Sequence, residues 1–96
     1  MINLAEFDSY KTAIFIGVNQ ATRTEILLEQ IKEFQAMLVD NEEIIARNPE
    51  TDEALSGVQI CLDELICNMS QDLKLIKEDV NGHYRELQHK VFFDAE

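Results

Sequence analysis

A single proline, Pro49, stands near the middle of the 96-residue chain and leaves more than forty residues on either side without the strongest helix breaker. The three glycines are isolated from one another. The punctuation that an all-β fold needs at every turn is therefore missing. Proline restrains the residue before it to non-helical conformations but fits the first position of a new helix, and Asn48 is a good cap for that position. The sequence thus predicts one helical segment over about residues 4–46, a turn near Asn48 and Pro49, and a second over about 49–92. So short a connection folds the second segment back antiparallel to the first, giving an all-α helical hairpin in one domain spanning residues 1–96.

The second half carries the strongest periodic signal. Residues 54, 58, 62, 65, 69, 73, 76, 80, 84, 87 and 91 are each apolar or tyrosine. Their steps of four and three repeat in an eleven-residue cycle, in which Leu62, Leu73 and Tyr84 are equivalent. Such a repeat keeps one stripe on one side of a nearly straight helix. The phase survives Asn81 and Gly82, which predicts one helix rather than two.

The first half is less regular. Asn3 and Glu6 have the spacing of a capping box, so a helix should start at Leu4. Leu4, Phe7, Ile14, Val18, Ala21 and Leu28 form a stripe, and a second phase runs through Ile31, Phe34, Leu38 and Ile45. Gly17, Asn19 and a second capping-box spacing at Thr22 and Glu25 mark a place for a bend near residues 17–22. One helix and two helices both remain open there.

Two helices of this length make no compact core, and apolar residues are left over. Ile60 and Cys67 fall roughly opposite the main stripe, and Phe15, Ile16 and Ile26 widen the first helix's face. A further helical surface is expected, either a third helix within the chain or, as preferred, a second copy that completes a dimeric four-helix bundle. At the C-terminus, Phe92 and Phe93 are expected to fold back on the bundle.

No residues have the spacing of a phosphate loop, a zinc cluster or a nucleophile with its base, so no cofactor, metal site or enzymatic activity is expected. Glu86 and His89 have the Glu-x-x-His spacing of di-iron bundles, but the stripe passes through Leu87 and turns His89 away. His83 follows Asp79 by four residues and reads as a surface pair. Cys61 and Cys67, six apart, diverge around a helix and cannot bridge each other, which fits a reducing compartment. No apolar run approaches the roughly 20 residues of a membrane span, and no basic region precedes an apolar leader. A cytoplasmic protein is expected.

Charge is unevenly placed. Of a net −11, residues 40–64 hold eight acids against one base, Arg47. An acidic junction of this kind repels nucleic acid and membrane surfaces and speeds encounter with a basic partner. The leading expectation is a non-enzymatic adaptor or inhibitor that binds a protein partner, and a homodimer. Asp40, Glu42, Glu43, Asp52, Glu53, Asp63 and Glu64 would steer the partner, and Ile60 and Cys67 would add apolar contact. An acidic DNA mimic, of the phage anti-defence kind, that occupies a basic nucleic-acid-binding protein is the alternative, and a structural oligomer subunit is a third reading.

Overall fold

The computed structural model describes residues 2–45 and 47–92. The chain is all-α, with α1 at Leu4–Asp40, a short α2 at Glu42–Ile45 and α3 at Pro49–Phe92. The two long helices pack antiparallel, as the single central proline predicts.

Capping explains where each helix begins and ends. Asn3 Oδ1 accepts a hydrogen bond from the Glu6 N–H at 2.8 Å, satisfying one of the free donors of the first turn of α1. Asn41 closes α1: its N–H and its side-chain Nδ2 both donate to the Met37 carbonyl, at 3.1 and 2.7 Å. The Asn41 carbonyl then accepts from the N–H groups of Ile44 and Ile45, which starts α2. α3 opens on Asn48, whose Oδ1 accepts from the Glu50 N–H at 3.0 Å and whose carbonyl accepts from the Asp52 N–H at 2.9 Å. Glu50 and Asp52 in the first turn of α3, and His89 and Lys90 in its last, complement the helix dipole.

Of the two alternatives left open for the first half, the structure has the single helix. α1 is one helix of 37 residues, and Thr22, rather than capping a new helix, donates its hydroxyl to the Val18 carbonyl at 2.9 Å within it. A Thr-x-x-Glu spacing marks a cap only where the preceding backbone leaves the helix, and here it does not.

Contacts group the chain into two compact units. A terminal unit joins Met1–Arg23 to Asp72–Glu96, and a turn unit comprises Thr24–Gln71. In both, the seam between the helices follows a seven-residue repeat. On α1 the sheltered positions include Tyr10, Ile14, Gly17, Ala21, Thr24, Leu28, Ile31, Gln35 and Leu38, in alternating steps of four and three. On α3 they include Leu55, Gln59, Leu62, Ile66, Met69, Leu73, Ile76, Val80, His83 and Leu87. This is the a/d seam of a coiled coil; it shares Leu62, Met69, Leu73, Ile76, Val80 and Leu87 with the eleven-residue stripe and departs from it elsewhere. Ala54, Val58, Leu65 and Tyr84 belong to that stripe and are exposed, as are Leu4, Phe7, Val18 and Phe34 in the first half. Phe92 is also open to solvent, with 72% of its surface exposed, so it does not fold back; Phe93 lies outside the described residues.

Shelter at the seam is shallow. Among the described residues only Leu28 and Leu55, both in the turn unit, are buried. In the terminal unit α1 approaches α3 closely at Gly17, where a Cβ would overlap the Val80 side chain. Val80 is β-branched and stiff about χ1, so it gives way poorly. Around Gly57 and Gly82 there is open space.

Gly17→Ala should therefore lower the melting temperature, since overpacking costs about 1–3 kcal/mol against a helix-propensity gain of about 1 kcal/mol. Gly57→Ala and Gly82→Ala should each raise it. Thermal unfolding followed by circular dichroism separates the three, and adding Val80→Ala to Gly17→Ala should recover the loss.

Candidate functional site

All nine residues singled out from the sequence lie in the turn unit and all are exposed. Asp40 ends α1, Glu42 and Glu43 open α2, and Asp52 and Glu53 lie near the start of α3, so five acids gather at the connection between the long helices. Ile60, Glu64 and Cys67 lie on the side of α3 away from the seam, spaced four and three apart. Ile60 is 61% exposed. Asp63 is different, because it faces α1 and accepts a 2.6 Å hydrogen bond from Gln35 Nε2. A polar residue at a seam position is thus satisfied by an acid beside the facing seam.

The larger apolar surfaces lie elsewhere. In the heptad frame that puts Leu28 and Gln35 at a and Ile31 and Leu38 at d, Leu27 and Phe34 occupy g and Met37 and Ile44 occupy c. These two positions lie on the same flank of a helix. All four are exposed, Phe34 by 46%. On α3 the same positions hold Ala54, Val58, Cys61 and Leu65, again exposed. In an antiparallel pair the g and c positions of both helices face the same side. The turn unit therefore presents one apolar face built from both helices. Ile60 and Cys67, the pair picked from the sequence, lie on the other side.

In the terminal unit Phe15, Val18 and Tyr84 stand at b and e positions of the heptad, while Ile16 and Leu75 stand at c. Phe7, Ile14, Phe15 and Val18 of α1 and Tyr84 and Leu87 of α3 line a groove of about 290 Å³, with Lys11 as its charged member. Phe15, 67% exposed, forms its outer wall. The lining is almost wholly carbon, and the groove is partly open to solvent.

Beside the groove a polar cluster closes the seam. The Tyr10 and His83 rings meet edge to face at a centroid distance of 6.4 Å, and His83 Nε2 lies 3.6 Å from Asp79 Oδ2. The pair with Asp79 expected from the sequence is present, and within it His83 is half-sheltered, since the heptad places it facing α1. Lys90 Nζ lies 5.7 Å from the centre of the Tyr10 ring and 3.6 Å from Glu6 Oε2. Negative charge on Tyr10, and then on Glu6, raises the Lys90 ammonium above its ordinary value of 10.5. Nothing in the cluster brings a nucleophile to a base. Among the described residues no group of histidines, cysteines and carboxylates could hold a metal ion, and no helix is long and apolar enough to cross a membrane.

No protein-family model, curated protein or solved structure matches the chain.

Sequence reasoning singled out Phe15 but assigned Val18, Phe34, Val58 and Leu65 to the helix seam, so neither apolar face was assembled from it. The signal that finds them is the strict alternation of four and three with Gly17, Thr24, Gln35 and Gln59 allowed as seam residues; the apolar residues left over then form the faces.

The bond between Gln35 and Asp63 should couple the two helices by about 1 kcal/mol. A double-mutant cycle with Gln35→Ala and Asp63→Ala, read by urea unfolding, should give a double mutant less destabilised than the sum of the two singles by that amount.

Proposed function

We propose that the chain is a non-enzymatic, cytoplasmic protein-binding module that docks a segment of another polypeptide in the groove of the terminal unit. The observation that supports this reading is the composition of the groove: six apolar side chains, two of them phenylalanine and one tyrosine, beside a single lysine. Aromatic residues are enriched at the centres of protein interfaces because they bury much area at little entropic cost. A groove of this size lies at or below the lower limit of about 300–1,000 Å³ for small-molecule sites and is partly open to solvent, so it suits side chains that project from a backbone. Lys11 would give the segment a preferred orientation by pairing with an acidic residue beside its apolar anchors.

The acidic residues at the α1–α3 connection play a different part in this reading. They would steer encounter with a partner that has a basic surface. Their clustering also supports a second reading, an acidic mimic of nucleic acid, in which the same carboxylates would form the contact itself. The two differ in what salt and substitution do.

Phe15→Asp should reduce partner binding by about 2 kcal/mol or more, the scale of a central apolar anchor, and binding should persist at 0.5 M salt. Reversing Glu42, Glu43, Asp52 and Glu53 to lysine should chiefly slow association. Capture of interacting proteins on immobilised wild-type and variant chains, followed by surface plasmon resonance on whatever is captured, checks both. Binding indifferent to Phe15→Asp but abolished by the four reversals and by salt would replace the groove reading with the mimic.

A further inference from the structure

We propose that the apolar face of the turn unit is covered by the same face of a second copy of this chain, the two copies running antiparallel about a two-fold axis that passes between Gln35 and Ala36. The proposal rests on the reading that exposed apolar faces of this protein are completed by polypeptide, but it concerns a different face from the partner groove.

Self-complementarity comes first. Along the g and c flank that α1 sets, carried past its end at Asp40 through the turn residue Asn41 into α2, the residues are, in order, Leu27, Gln30, Phe34, Met37, Asn41 and Ile44. Read in either direction the order is large apolar, amide, large apolar, large apolar, amide, large apolar. A two-fold axis between Gln35 and Ala36 sets Leu27 against the partner copy's Ile44, Gln30 against its Asn41 and Phe34 against its Met37. Each apolar residue meets an apolar residue, and Gln30 meets the partner copy's Asn41, whose Nδ2 also holds its own Met37 carbonyl. An isologous interface requires this kind of matching, and a face made for an unrelated partner does not.

Area agrees with it. The exposed parts of the face's six large apolar residues amount to on the order of 600 Å² per copy, approaching the ~800 Å² per partner of a stable interface. Burying them would turn two two-helix layers into a four-helix bundle, the usual way for such helices to obtain a core.

Charge selects the direction. Residues 40–53 carry six acids and one base at the connection end of the turn unit. Packing with the two copies parallel would set these two acidic ends side by side. Packing antiparallel puts them at opposite ends.

The register makes a sharper statement about α3. The Gln35–Asp63 hydrogen bond fixes the level of α3 that lies beside the axis. The residue of the exposed α3 flank nearest that level is Cys61, which is free and exposed. The two copies of Cys61 therefore face each other across the axis, with Val58 opposite the partner copy's Leu65. Cys67 is equally exposed but lies on the side of α3 away from this face.

The test has two arms on the full chain. Sedimentation equilibrium should give the mass of a dimer for the wild type, and Phe34→Asp, which alters a residue the single chain already exposes, should weaken the dimer at least ~100-fold while leaving the helical signal intact. Separately, diamide should take up two protons and two electrons from the paired Cys61 thiols and link the copies by a disulfide. Cys61→Ser should abolish that product and Cys67→Ser should not. A monomer at all concentrations, a disulfide formed through Cys67 alone, or a dimer lost on Phe15→Asp but unaffected by Phe34→Asp would overturn the proposal. A dimer that binds no other protein would defeat the groove reading and leave this one standing. Partner binding by a monomeric wild type would do the reverse.

Discussion

Two helices laid side by side shelter only a narrow seam of each other, and the rest of both surfaces stays in water unless something else covers it. In this chain the seam is further weakened by its own composition, because Gly17, Thr24, Gln35, Gln59 and His83 occupy positions that a long-lived coiled coil would fill with leucine or isoleucine. Only Leu28 and Leu55 reach full burial among the described residues. The apolar residues that could have strengthened the seam stand instead on its flanks, one position away. Their placement argues that the helices are built to be covered from outside.

The polar seam residues have their own logic. Gly17 lets the helices approach where Val80 fills the space, and Gln35 is matched by Asp63. Tyr10, His83 and Lys90 make a layer in which aromatic and charged groups satisfy one another. Single polar layers of this type fix register and orientation at some cost in stability. In the turn unit the Gln35–Asp63 bond holds the register in which the exposed flanks of α1 and α3 form one face.

Much of the fold is legible in the sequence. Pro49 with Asn48 marks the connection, Asn3 with Glu6 marks the start, and the absence of turn residues elsewhere leaves two long helices. The seam itself is harder to read, because apolarity was the guide and the seam is not the most apolar line along either helix. Phe34 draws the eye from Gln35, Val18 from Gly17, and Val58 from Gln59, each shifting the apparent phase by one residue. Gly17 looks like the site of a bend when taken alone, and its role appears only once Val80 is placed against it. The acidic connection, by contrast, is visible in composition, since charge at a helix junction needs no partner to be recognised. For the same reason its exposure says little about what it meets.

The account stands on the claim that the folded chain is completed by its own second copy at the turn unit, and thermal unfolding as a function of protein concentration tests it most directly. Folding coupled to dimer formation predicts a melting temperature that climbs steadily as the chain is concentrated over two orders of magnitude. A sharp transition at the same temperature across that range, from a species with the mass of one chain, would contradict it.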